Sequence, residues 1–255
     1  MRRTAERSAL ASASPMAVRA LVLGCCLLAT GCAAPFGVRR ASPQVMHRTL
    51  TDNVLSDGKL SNTTEIMLRR QNLIELYDSD PAAALGILRS RLQAGDLPAA
   101  DLYAMSELAF HCAADRGGKP YYLASAVYAY AFLFPDDPQA APGPFDPLVQ
   151  EALDIYDRAL TEALRSGDYV EVAAGTHALP FGQIALGFDD QQLMWADRRL
   201  VELTPAEDVD VVGFRNRYRQ AGVGVPLAAA TKPLAPVDPE QPFIVGPSVR
   251  VRCPC

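Results

Sequence analysis

Pro120-Tyr-Tyr-Leu-Ala-Ser-Ala-Val-Tyr-Ala-Tyr-Ala-Phe-Leu-Phe-Pro135 decides how the chain folds. One proline opens the stretch, where the first helical turn tolerates it, and a second closes it, because proline cannot continue a helix. Between them lie Tyr121, Tyr122, Tyr128, Tyr130, Phe132 and Phe134, a helix rich in aromatic side chains.

The same punctuation recurs on both sides. Upstream, Ser61-Asn-Thr-Thr-Glu65 offers N-cap side chains before Ile66, Leu73, Ile74 and Tyr77, spaced as one helical face. Asp80-Pro81 is a cap followed by proline at the first helical position; Leu85, Leu88 and Leu92 form the next face and Gly95 stops it. Pro98 opens a third helix with Leu102, Met105, Ala109 and Cys112 on one stripe, ended by Gly117-Gly118. Downstream, residues 135–147 carry five prolines, and Asp146-Pro147 caps the longest helix. Its stripe is Val149, Leu153, Tyr156, Leu160 and Leu164, with Gly167 as the stop.

Helices of this length are unstable alone and must pack on one another. Short connections make neighbours antiparallel. The pattern resembles paired-helix repeats of the tetratricopeptide type, most of all at Ala126–Pro135, although a strict period of about 34 residues is missing. After Asp168 the texture changes. Tyr169-Val-Glu-Val172 alternates, Gly182–Phe188 is apolar between glycines, and Val209-Asp-Val-Val212 is a further strand candidate. Residues 189–203, around Trp195, fit either a strand or a helix. The expected fold is therefore mainly α with a small β-containing C-terminal part (α+β), built from antiparallel helical hairpins. The expected order is a leader at 1–31, a tether and lead-in segment at 32–60, a helical domain at 61–167, an α/β or β segment at 168–230, and a proline-rich tail at 231–255.

The N-terminal end has its own signature. Ala20-Leu-Val-Leu-Gly-Cys-Cys-Leu-Leu28 is apolar and uncharged, but far shorter than the roughly 20 residues of a membrane-spanning helix. Basic residues precede it and small ones follow, which is the layout of a secretion signal. The exit, Leu28-Ala-Thr-Gly-Cys32, resembles the bacterial lipoprotein box, which implies cleavage between Gly31 and Cys32 and lipid attachment to the Cys32 thiol. Ala29 departs from the Leu, Val or Ile usual at its position. The plainer alternative is an ordinary signal peptide with a chance cysteine. Acyl chains gain about 0.8 kcal/mol per buried CH₂, and the two or three chains of a lipoprotein anchor stably. Ala33 stands where an Asp would favour inner-membrane retention, so the expected site in a Gram-negative host is the outer membrane, facing the periplasm. Met16 is an alternative start, because residues 16–31 already contain Arg19, the apolar run and the small exit.

Charge excludes one class of partner. Residues 1–31 hold four Arg and one Glu, leaving 20 basic against 28 acidic residues in the rest. An acidic body repels phosphate backbones, so nucleic acid is not an expected partner. His47, His111 and His177 share no ligand spacing with one another or with cysteine, so no metal and no cofactor is expected. His111 beside Cys112 reads as a packing or surface pair rather than a thiol–imidazole dyad. No G-x-S-x-G turn and no phosphate-cradling loop occurs, so no catalytic residue is assigned. Arg215, Arg217 and Arg219 alternate in a pattern that fits contact with an anionic head group or a partner carboxylate. A solvated basic edge that discourages strand pairing explains them more simply.

Several phrases carry a family resemblance. Met46-His-Arg-Thr-Leu-Thr-Asp-Asn-Val-Leu-Ser56, Leu85–Leu92, Tyr121–Pro135 and Val212–Leu227 resemble the leading region of bacterial lipoproteins of the α/β-hydrolase type, over about residues 44–230. The resemblance implies a non-catalytic part of an esterase- or lipase-like protein, whose serine, acid and histidine would come from a domain C-terminal to it. The sequence from Pro242 to Cys255 is then expected to reflect truncation or a frameshift. The rival expectation is a helical-repeat adaptor that binds other envelope proteins, and a third is an enzyme in its own right.

Overall fold

The computed structural model describes residues 42, 52–116, 118–209, 222–234 and 248–249. The leader with Gly31 and Cys32, His47, the strand candidate beyond Val209, and Arg215, Arg217 and Arg219 lie outside the described residues, as does most of the tail. The described elements fall within one compact unit, Gln44–Cys255.

The fold is α+β and mainly helical. Among the described residues six α-helices come first: α1 (Asn62–Arg70), α2 (Ile74–Ser79), α3 (Pro81–Ala94), α4 (Asp101–Arg116), α5 (Lys119–Leu133) and α6 (Pro147–Leu164). The side-chain chemistry at their ends explains the boundaries. Ser61 caps α1 by accepting from the Thr64 amide, Asp80 caps α3 through the Ala83 amide, and Asp146 caps α6 through the Leu148 amide. Gly95 closes α3 at φ 78°, a left-handed conformation that favours glycine.

Cross-helix contacts give the hairpin sense. Tyr103 near the start of α4 meets Phe132 near the end of α5, while Phe110 meets Tyr122. Tyr130 late in α5 meets Tyr156 at the middle of α6, while Tyr122 early in α5 lies within reach of the Arg158 and Glu162 charges late in α6. The helices α4, α5 and α6 therefore run up, down and up. The core accounts for the composition of α5. Leu123, Ala124, Ala126, Tyr128, Ala129, Phe132 and Leu133 are all buried, and repeated alanines let the neighbouring helices approach closely.

Two expectations differ from the structure. Ile66, Leu73, Ile74 and Tyr77 do not share one continuous helix. The chain breaks after α1, with Asn72 at φ 55°, so Ile66 is 49% exposed while Met67 and Leu68 fill the core. Asparagine tolerates this left-handed conformation better than most residues. Gly167 does not stop α6, which ends at Leu164. At φ 65° it turns the chain between β1 (Arg165–Ser166) and β2 (Tyr169–Val170) instead.

A hairpin follows, β3 (Gly175–Leu179) and β4 (Gly182–Leu186), and then an antiparallel sheet in the order β5 (Met194–Trp195), β6 (Arg198–Pro205), β7 (Val225–Pro233), β8 (Ser248–Val249). Residues 189–203 thus resolve into a short 3₁₀ turn, β5 and most of β6, and β7 runs to Pro233, past the expected boundary at 230. A bulge between Val201 and Leu203, with Glu202 at φ 51°, resets the alternation so that Leu200 and Leu203 both face inward. Leu200, Leu203, Val225, Leu227 and Ala229 belong to the same continuous core as the helices.

Leu160 is fully buried in that core and Ile66 is half exposed. Leu160→Ala is expected to cost about 2–5 kcal/mol of stability and Ile66→Ala less than about 0.5 kcal/mol in urea unfolding. Equal losses would contradict the break after α1.

Candidate functional site

Helix α4 is buried around most of its circumference, yet it carries a glutamate at its middle. Glu107 is 0% exposed, and a carboxylate removed from water must be met by donors. Its Oε1 accepts from the backbone amides of Val54 at 3.1 Å and Ser61 at 2.9 Å. Its Oε2 accepts from the hydroxyls of Ser61 at 2.7 Å and Thr64 at 2.5 Å. All four donors come from residues 54–64. The carboxylate also sits at the N-terminus of α1, where the helix dipole favours negative charge.

Two opposing effects act on its proton. Burial pushes the Glu107 carboxyl above the usual carboxylate range, while the hydrogen bonds from Thr64, Ser61 and Val54 pull it down, and burial prevails. The same helix carries Tyr103, whose hydroxyl donates to Glu151 on α6 at 2.6 Å. Burial first, then the negative charge of Glu107, raise the Tyr103 hydroxyl well above the ordinary tyrosine range, so it stays a proton donor.

A second clasp holds the lead-in loop lower on α4. His111 Nδ1 lies 3.1 Å from the Gly58 carbonyl, an acceptor only, so that nitrogen carries the proton. Nε2 is then free to accept from the Tyr77 hydroxyl at 3.5 Å. Asn53 shapes the loop by accepting from the Leu55 and Ser56 amides, and Val54 and Leu60 are buried in the core. The lead-in segment is thus part of the body from about residue 53 onward. At the start of α4, Asp101 receives Arg70 and Gln71 from the end of α1, and Gln71 accepts from Arg91 of α3.

The remaining candidate residues do not gather. Cys112 is buried, and His111 is committed to Gly58 and Tyr77. His177 is half-buried on β3 opposite Ile184, in a different element from His111. Ser106 donates to the Tyr103 carbonyl and Ser125 to the Ser106 carbonyl, both fully buried, so both hydroxyls are spent on backbone. Among the described residues no group of three or more His, Cys, Asp or Glu is placed to hold a metal ion, and no helix is long and apolar enough to cross a membrane. An open depression of about 400 Å³ runs along α3 over Ala83, Gly86, Ile87, Ser90 and Ala94, with Arg91 and Asp96 at its rim. Comparisons with protein-family models, curated proteins and solved structures each return no match.

The Glu107 cluster escapes sequence reading because a glutamate within a helix ordinarily reads as a solvated charge. The one available signal is its position four residues after Tyr103 and three before Phe110, on a helix otherwise apolar or small.

Replacing Glu107 by Leu strands two buried amides, and a loss of about 2–4 kcal/mol is expected. Glu107→Gln keeps an acceptor and is expected to cost less. The folded-state carboxyl titrates above its unfolded value, so its stabilising contribution is fully present below the unfolded value. It is lost as pH rises through the raised one. Unfolding free energy measured against pH should therefore fall more steeply in wild type than in Glu107→Gln across that window; parallel curves would refute the assignment.

Proposed function

We propose that this chain is a lipid-anchored protein of the cell envelope, and that its helical body is the non-catalytic leading region of a hydrolase-type lipoprotein. The observation that carries the anchoring is the succession of basic residues, the apolar run Ala20–Leu28, and the small exit Ala29-Thr-Gly31 before Cys32. Ala33 favours the outer membrane, facing the periplasm, in a Gram-negative host. The hydrolase assignment rests on the phrases at 46–56, 85–92, 121–135 and 212–227.

The attachment of residues 53–64 to α4 supports this reading. A chain held by lipid at Cys32 would enter the body through residues 53–64, and these are fixed on α4 by the Glu107 and His111 clasps. Force or thermal motion at the anchor would be met by several buried hydrogen bonds rather than by a single helix end.

A second reading, an adaptor for other envelope proteins, draws on the open face of α3. Ile87 is 38% exposed there among small residues, and small side chains let a partner backbone come close.

Metabolic labelling with a fatty-acid analogue tests the anchor. Wild type is expected to take up label and fractionate with membranes; Cys32→Ser is expected to lose both. Unchanged labelling in the mutant would contradict the proposal.

A further inference from the structure

Residues 135–146 connect α5 to α6 and present an aromatic side chain that the fold does not use. Phe145 is 96% exposed, while Phe134 at the other end of the connection is 44% exposed. Because α5 and α6 are antiparallel, both stand at the same end of the hairpin. Phe134 is braced: its ring lies 4.9 Å from Tyr130, which lies 6.0 Å from the buried ring of Tyr156. Phe145 has no place in the core.

The loop is shaped in advance. Pro135, Pro138, Pro142 and Pro144 restrict φ at four positions. Asp137 accepts from the Gln139 amide at 2.9 Å to cap the 3₁₀ turn Pro138–Ala140, and Asp146 accepts from the Leu148 amide at 2.9 Å. A surface ordered before contact loses little entropy on binding. Its charge has one sign. From Pro120 through Asp157 the chain has six Asp or Glu and no Lys, Arg or His. Asp136 and Asp137 are exposed and Asp146 is half-buried beside Phe145.

We propose that this tip is a docking surface for a basic protein partner, with Phe145 as the anchor entering an apolar pocket rimmed by Lys or Arg. Exposed aromatics at the centre of a charged ring carry most of the energy of such contacts, and the charge steers the encounter. Charge also selects the occupant. Three aspartates beside the anchor are repelled by anionic lipid head groups, and carboxylates are costly to bring into a bilayer. The rings therefore face a protein rather than a membrane. The surface is independent of lipid attachment at Cys32 and of the depression on α3.

The test uses the full chain and two defined probes. One is a synthetic peptide of leucine and lysine at helical spacing, with a leucine–glutamate counterpart as its control. The other is vesicles of phosphatidylethanolamine and phosphatidylglycerol. The lysine peptide is expected to bind, with amide NMR shifts confined to residues 134–146 and an affinity that falls with salt. Phe145→Ser is expected to weaken it about tenfold or more. Asp136→Lys, a position that caps no helix, is expected to weaken it independently. Circular dichroism of both variants should match wild type, because neither side chain is in the core. The proposal is overturned by absence of binding, by equal binding of the glutamate peptide, by shifts centred elsewhere, or by affinity unchanged in both variants. A blue shift of Phe145→Trp emission on adding the vesicles would overturn it in favour of a lipid contact.

Discussion

One buried carboxylate organises the helical body. Glu107 lies in a helix with little solvent on any side, and its donors all come from residues 54–64, the lead-in loop and the first turn of α1. A leucine of similar volume would pack there, and apolar replacements of buried charges are often tolerated when all partners change together. A leucine would not, however, fix where residues 54–64 run, since hydrophobic contact has no direction. The carboxylate has two oxygens and a defined plane, so it positions two backbone amides and two hydroxyls at once. The start of α1 and the course of the lead-in loop follow from it.

The same helix distributes this role along its length. Asp101 at its first turn gathers the end of α1, Tyr103 reaches α6 through Glu151, and His111 holds both Gly58 and Tyr77. Polar bonds at successive turns thus fix register, while Leu108, Ala109 and Met105 supply burial. A second element joins the helices to the sheet. On α6, Asp157 accepts from the Gly224 amide at 2.9 Å and Arg158 pairs with Glu207; just beyond it, Arg165 of β1 pairs with Asp208 at 2.6 Å. The hairpin β3–β4 is held by Arg89, which donates to the Phe181 carbonyl at 2.8 Å and lies over the Phe181 ring. Arg89 and Arg158 on the helices and Arg165 in β1 thus add polar links to the apolar core that the helices share with the sheet.

Much of the helical order was legible in the sequence because its signals are local. Asp80-Pro81, Asp146-Pro147 and Gly95 act on backbone groups within a turn, and the caps form where those residues stand. The sheet was harder. In β7, Val225-Pro-Leu-Ala-Ala-Ala-Thr-Lys-Pro233 begins and ends near proline and is rich in alanine, so its strand character comes from pairing with β6 rather than from propensity. Strand β3, Gly175-Thr-His-Ala-Leu179, which holds His177, was hidden in the same way: it is short, opens on glycine and is defined by its pairing with β4. The Glu107 cluster was illegible for a further reason. Its donors lie 43 to 53 residues away in sequence, and no spacing rule connects them. Cys32, proposed above to carry lipid, and the arginines at 215, 217 and 219 belong to sequence reading alone.

The central claim is that residues 54–64 are part of the folded body because Glu107 binds them. Native-state hydrogen exchange reads this at single amides. The Val54 and Ser61 amides, both bonded to the carboxylate, should exchange only through the same large opening that exposes the middle of α4, with protection lost together in Glu107→Leu. Rapid exchange at Val54 and Ser61 while α4 stays protected would mean that the segment moves independently, and would contradict the account.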